Sequence, residues 1–431
     1  MRRHWVILLV VGLLISSMTA SVLAAPKVNL RWYLRWDKAR LDSVATPVKE
    51  EYEKLHPNVE ITIENISNGN QYFDKLQTML AANSAPDVIY PATHQAYQLA
   101  AKKQLLDLMP FVKKSKMDLN AYIPAVLNMY KFKNGKTTML DGLPIDTAAF
   151  VIFYNKDMFD AAKVPYPKDN MTWDQFFEMA KKLVKDKDGD GRIDQYAIHW
   201  DTNNYWTIMT YQMTGKFMFD DLYQPTKFLL NEKDQIQALQ TYADVITKYN
   251  LCPTPSQRGQ IQDLFLSGTA AMNLIGHWRV PTYNTSVKFN WDVAAMPQGK
   301  FKCNRGDGSC FSITKDTKNP EAAWEFVKYL AGPDAPGVNK LLALGQMVPS
   351  QTKLTKSDLY LNTPGQKKIN KKAFLVGREN MIPMYQPFAV WYNEWENNFR
   401  GAFVDLWEGK ITAAEAVKNV TPKVEALMSG I

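Results

Sequence analysis

Gly142-Leu-Pro-Ile-Asp146-Thr-Ala-Ala-Phe150-Val-Ile-Phe-Tyr154-Asn155 is the stretch on which the reading of the fold turns. It opens at a turn, places an acidic and a hydroxyl residue after a proline, and then becomes an uninterrupted apolar run. Phe150 to Tyr154 is β-branched and aromatic and too short for a helix of its own, so it reads as a fully buried strand. A polar kink feeding a buried strand near mid-chain suits a crossing between two lobes, with ligand groups such as Asp146 at the crossing.

Upstream, the pattern is β-α-β-α-β. Val28 to Tyr33 reads as a strand, and Leu41, Val44, Val48, Tyr52 and Leu55 recur at helical spacing until His56-Pro57 stops them. Val59, Ile61 and Ile63 alternate with polar residues, a second strand. Phe73, Leu76, Gln77, Leu80 and Ala81 suit another helix, and Asp87 to Tyr90 a short buried strand. This order predicts an α/β fold with a parallel or mixed sheet flanked by helices. Ligands of such sheets sit beyond the carboxyl ends of the strands, which places Trp36, Asp37 and Lys38, and Pro91 to Gln95 with His94, at the candidate site.

Downstream, Thr172 with Gln175 three residues on forms a capping-box pattern before Trp173, Phe176, Phe177, Ala180, Leu183 and Val184. Tyr196 to Trp200 resumes a strand, and Asn203-Asn204-Tyr205-Trp206 opens a helix. Ser267 to Met272 leads into Gly276-His277-Trp278-Arg279, and Trp291 to Met296 is a strand stopped by Pro297. Asn319-Pro320 starts a helix that Gly332-Pro333 ends. The tail carries a dense aromatic cluster with Trp391, Tyr392 and Trp395.

Composition limits the function classes. Arg2 and Arg3, the apolar run Val6 to Ile15 and Val22-Leu23-Ala24 have the form of a secretory signal peptide over residues 1–24. No cysteine stands at that cleavage site, so a lipid anchor is not indicated, and no later run is long enough to span a membrane. A periplasmic or secreted protein is expected. The formal charge is +8, and about +6 without Arg2 and Arg3, with basic residues scattered among acidic ones. That is a solvated face rather than a nucleic-acid groove. Of three cysteines, Cys303 and Cys310 flank a Gly-rich loop and would close a small ring in an oxidising compartment, leaving Cys252 alone. Twelve tryptophans and twenty tyrosines exceed the ordinary needs of such a core, and flat rings with a polar edge are what stack on sugar faces.

Catalytic signatures are missing: no G-x-S-x-G elbow, no H-E-x-x-H helix, no P-loop. One motif has metal chemistry. Asp186, Asp188, Asp190 and Asp194 fall at positions 1, 3, 5 and 9 of a calcium loop with Gly191 at 6, but position 12 is Ala197 rather than glutamate. Two readings stand side by side, a structural calcium clip and an Asx-rich turn that turns the same carboxylates onto backbone amides. No cofactor is otherwise required.

Taken in order, several stretches resemble the extracellular solute-binding proteins of the maltose-binding type, which feed ATP-driven (ABC) importers. They are Pro86-Asp87-Val88, Leu105-Leu106-Asp107-Leu108, Leu143-Pro-Ile-Asp146 to Tyr154-Asn-Lys-Asp157, Thr172-Trp173-Asp174, Asp188-Gly-Asp-Gly191, Ser267-Gly-Thr-Ala-Ala-Met272 with Gly276-His-Trp278, and Glu321-Ala-Ala-Trp-Glu-Phe326. The resemblance implies a two-lobed periplasmic-binding-protein fold. Residues 25–143, completed by about 293–335, would form the N-terminal lobe, and 144–292, completed by about 336–431, the C-terminal lobe. It implies a monomer without catalysis that captures a sugar in the cleft by hinge closure and hands it to membrane permease subunits. Trp278 and Trp391 match aromatic positions that stack on sugars, Asn204-Tyr205 the place of a ligand-lining pair, and Asp37-Lys38 a polar pair that bonds hydroxyls. The charged pair expected after the third strand is replaced by His94-Gln95, which leaves the sugar open. Arg35, His94 and Arg279 would also suit an acidic or phosphorylated ligand. Rival expectations are a glycerol-phosphate or polyamine binder and a secreted polysaccharide-cleaving enzyme.

Overall fold

Two sheets, each wrapped in helices, make the two lobes. The computed structural model describes residues 27–134, 137–202, 205–221, 224–343, 347–363, 367–383 and 391–430, so the segment read as a signal peptide lies outside the described residues.

In the first lobe the strands Val28–Leu34, Val59–Asn65 and Val88–Ile89 run parallel, with Val28–Leu34 in the middle of the three. Val59 and Ile61 are buried and Glu60 and Thr62 exposed, the half-buried alternation of a strand with one face on a core. Cys310–Ile313 then enters antiparallel between Val88–Ile89 and Leu143–Pro144, so the sheet is mixed. In the second lobe Phe150–Asn155 lies between Trp291–Ala295 and Ala270–Gly276, antiparallel to both, and Tyr196–His199 closes the far edge beside Ala270–Gly276.

Phe150–Asn155 is buried along its whole length. Its alternate residues serve two cores: Val151 and Phe153 join the larger one, Phe150, Ile152 and Tyr154 the other. A strand covered on both faces favours apolar side chains, which is why Phe150 to Tyr154 is unbroken, and each contributes ~1.5–3 kcal/mol by leaving water. The buried Asn155 at its end accepts the Met158 N–H as a helix cap.

Residues 143–150 carry the chain from one sheet to the other. Midway, Asp146–Thr147 pairs with Val348–Pro349, and the return segment Asn304–Gly306 pairs with Met381–Pro383. Two short ribbons therefore bind the crossings together. The helix Pro336–Ala343 still packs on Pro320–Ala331 and on Thr46–Leu55, so the last return to the second lobe falls later than residue 336. Trp291–Ala295 belongs wholly to the second sheet.

Gly142 is required by close approach: a Cβ there would stand 2.5 Å from Cys310 Sγ and 2.7 Å from Ser312 Oγ. Beside it, Asp141 is completely buried and neither carboxylate oxygen meets a hydrogen-bonding partner. Burial pushes its carboxyl well above the ordinary range, which favours the neutral form.

The expected ring between Cys303 and Cys310 is not formed. All three cysteines are free and buried. Cys310 is held in a central strand with Sγ 3.3 Å from Ser312 Oγ, whereas Cys303 packs in the second lobe's core. The flanking loop spans the two lobes rather than closing on itself.

The expected caps form. Thr172 Oγ1 accepts the Gln175 N–H, and Gln175 Oε1 accepts the Thr172 N–H. Pro320 opens Pro320–Ala331. The C-terminal helices Tyr392–Trp407 and Ala413–Ser429 pack on the second lobe, the first through Trp395, Phe399, Phe403 and Leu406 and the second through Ala416, Val417, Val420 and Val424. No helix among the described residues is long and apolar enough to cross a membrane.

Candidate ligand-binding cleft

A cleft of about 320 Å³ opens where the crossings meet the two lobes. The first lobe supplies Arg35, Arg40, Tyr90 and His94, the outgoing crossing Asp146 and Ala148, and the returning one Arg305 to Ser309; the second lobe supplies His277 and Trp278.

Trp278 sits in a single turn, His277–Arg279, directly after the strand Ala270–Gly276. Its ring folds back over Gly276, where a Cβ would come within 1.9 to 2.4 Å of three ring carbons, so only glycine allows this placement. The Arg305 guanidinium carbon stands 5.1 Å from the Trp278 ring centre and 5.0 Å from that of Phe150. Arg305 also pairs with Asp307. Burial opposes ionisation of Asp307, but Arg305 and then His94 hold its carboxyl below the usual range. Asp146 Oδ1 accepts the Ser309 N–H at 2.8 Å, and its other oxygen lies 3.8 Å from His277 Nε2. Arg35 donates from Nε to the Tyr90 carbonyl at 3.3 Å and from Nη2 to Ser309 Oγ at 2.8 Å, with its guanidinium 5.2 Å over the Tyr90 ring. Ring face, guanidinium forks and carboxylates around one cavity are what a polyhydroxylated ligand needs.

Of the residues singled out from sequence, Arg35, His94, Asp146 and Trp278 come together in this cleft. The others are placed elsewhere. Trp36 is a core residue, 1% exposed, edge-on to Trp32 at 5.8 Å and to Tyr90 at 5.4 Å. Asp37 caps a helix by accepting the Arg40 N–H, and Lys38 pairs with Asp42 at 2.8 Å in solvent. Gln95 accepts the Ala92 N–H at 3.0 Å and is buried as a cap. Arg279 faces Asp263, Nε to Oδ2 3.8 Å, on the side of Tyr283. Tyr205 leans on Phe150, ring centres 4.2 Å apart, and does not line the cavity. Trp391 is buried against Phe219 at 5.8 Å. Asn204 lies outside the described residues.

The aromatic surplus is mostly core. Ten tryptophans are buried, and Trp278 is the one described tryptophan that is not. Sequence reasoning missed Arg40, Tyr90, His277, Arg305 and Asp307 as cleft residues. The Asn304 to Ser309 loop was read as the inside of a disulfide ring, yet its Arg-Gly-Asp-Gly-Ser run carried the signal: charged residues spaced by glycines that let backbone approach backbone. A Cβ on Gly308 would stand 2.5 Å from the Asp146 carbonyl oxygen.

In the Asp-rich loop, Asp186, Asp188 and Asp194 bring carboxylate oxygens within 4.8 Å of one another, and Asp190 stands outside that group. Asp186 accepts the Gly189 and Gly191 N–H groups, Asp188 that of Asp190, Asp190 that of Arg192 and Asp194 that of Lys187. These backbone bonds, the one from Gly191 first, hold the Asp186 carboxyl below the ordinary range.

The profile of the bacterial extracellular solute-binding proteins matches residues 38–335, well over half of the chain and including most of the cleft. The chain belongs to that family. Among relatives of this solute-binding protein, the maltodextrin-binding protein MdxE of Bacillus subtilis is 24% identical over 295 residues, covering 66% of this chain and 65% of that protein. The maltotriose-binding protein of Pyrococcus abyssi is 25% identical over 301 residues, 68% of this chain and 60% of that one. The chain thus spans less than two-thirds of the length of these curated relatives. In fold, the solute-binding protein is similar to the ABC substrate-binding protein Lmo0181 of Listeria monocytogenes, solved with cycloalternan: TM-score 0.80, 23% identity, 94% of this chain and 99% of that one. The two-lobed architecture is shared.

Proposed function

We propose that the protein is the extracytoplasmic carbohydrate-binding subunit of an ABC importer, acting as a monomer without catalysis and delivering its sugar to membrane permease subunits. The observation that carries this reading is the cleft at the crossings, with the partly exposed Trp278 beside His94, Asp146 and the arginines. Relatives named for maltodextrin and maltotriose binding support it. Closure of the lobes would bury the sugar between Trp278 and the Tyr90 wall. A panel of mono- and oligosaccharides is expected to include at least one that raises the melting temperature and shifts tryptophan fluorescence, and is recovered unchanged. A flat response across the panel would sink the carbohydrate assignment, and turnover of the sugar would favour the polysaccharide-cleaving reading.

A hard cation held by Asp186, Asp188 and Asp194 is a separate proposal, supported by the convergence of their carboxylates. Calcium is then expected to raise the melting temperature and excess chelator to lower it, independently of sugar. Identical melting in both leaves the loop to its Asx turns alone.

A further inference from the structure

Among the described residues the cleft is lined by three arginines and two histidines against two carboxylates, and both carboxylates are already engaged. Asp307 is paired with Arg305, and Asp146 accepts the Ser309 N–H and faces His277. Arg35 differs from Arg305. Its hydrogen-bond acceptors, the Tyr90 carbonyl and Ser309 Oγ, are neutral, and among the described residues no carboxylate pairs with it. Tyr90 and Ser309 are themselves buried, and stacking on the Tyr90 ring fixes the plane of the guanidinium. Two of its five N–H groups are used by these bonds, and the other three stay available at the cavity wall.

We propose that this wall receives an anionic group of the ligand, so that the bound saccharide is an acidic or phosphorylated one. The inference rests on the saccharide reading above. A rigid, partly desolvated guanidinium without a counter-charge donates well to a neutral hydroxyl but is a better host for an anion. It is a strong one for carboxylate or phosphate, whose two oxygens match its fork. Closing the lobes would exclude water and strengthen the pair further. The same positive wall repels a polyamine, which removes the cationic alternative.

The test is calorimetry on the full protein with three probes: a uronate trisaccharide, its neutral methyl ester and a hexose phosphate. An anionic probe is expected to bind about tenfold or more tightly than the neutral ester, the scale of one charge-assisted hydrogen bond. That advantage should shrink as salt rises. Arg35→Gln should erase the preference with the melting temperature of the ligand-free protein little changed, and Arg35→Lys should retain part of it. Which anionic probe binds distinguishes uronate from phosphate. Equal or tighter binding of the neutral ester, or an Arg35→Gln loss shared evenly by all three probes, overturns the anionic assignment and leaves the saccharide reading standing. Failure of all three, together with a flat sugar panel, overturns both.

Discussion

Gly276→Ala is expected to remove high-affinity ligand binding while the two lobes remain folded. The added Cβ would stand 1.9 Å from the nearest carbon of the Trp278 ring, far inside contact distance, and a fused aromatic ring cannot yield by bending. The ring must swing off Gly276, and the cleft then loses the one tryptophan face that lines it among the described residues. Loss of an aromatic anchor at the centre of a site costs ~2 kcal/mol or more, about thirtyfold in affinity. Trp278→Ala removes the ring without the clash and should fall by a similar factor. Calorimetry on both variants decides the matter: wild-type affinity in Gly276→Ala would show that the ring is not a ligand contact. The strand Ala270–Gly276 keeps its pairing to Phe150–Asn155 through backbone groups that an alanine retains, so melting should change far less than binding.

Asp141→Asn is expected to stabilise the protein at neutral pH. The wild-type carboxyl is buried without a hydrogen-bonding partner and held neutral by its surroundings, whereas the unfolded chain releases the proton near its ordinary value of 3.8. Above that value the native state binds more protons than the unfolded one, so stability falls as pH rises. The group's contribution is complete below 3.8 and is lost progressively above it. Asparagine has the same shape and no proton to lose. The gain should therefore be small near pH 4 and grow steadily as pH rises to 7. Denaturant melts of both proteins across that range provide the measurement. A variant that is uniformly less stable, with the wild-type pH slope, would show that Asp141 is ionised or partnered in the fold.

How legible was all this in the sequence? The elements were, because each is dictated locally: the apolar run at Phe150, the box at Thr172 and Gln175, the proline at 320. The site was readable only in part, and the reason is geometric. Strand ends pointed to the region where the cavity opens, but not to which side of the strand faces it. Trp32, Leu34 and Trp36 share a face by the two-residue period and point into the core, so Arg35 is the cleft residue and Trp36 is not. Counting parity back from the buried tryptophans would have made that choice. Asp37 and Gln95 illustrate a second limit: a polar residue after a strand is also where a helix begins, and capping took both. Trp391 and its neighbours illustrate a third, since an aromatic cluster at helical spacing packs on its own lobe. Arg305 and Asp307 lie far along the chain from Arg35, and only the tertiary fold brings them to one wall.

The strand Cys310–Ile313 has a consequence for how the molecule is made. It fills the gap between Val88–Ile89 and Leu143–Pro144, so the first sheet stays in two pieces until residue 313 has been synthesised. Ser312 meets Ile89 across more than 200 residues of intervening chain, a long loop to close and a slow kind of contact to form. A growing chain therefore carries an unfinished first lobe through most of its translation. Cys310–Ile313 is the last strand of that sheet to arrive, and its arrival is what joins the two pieces into one.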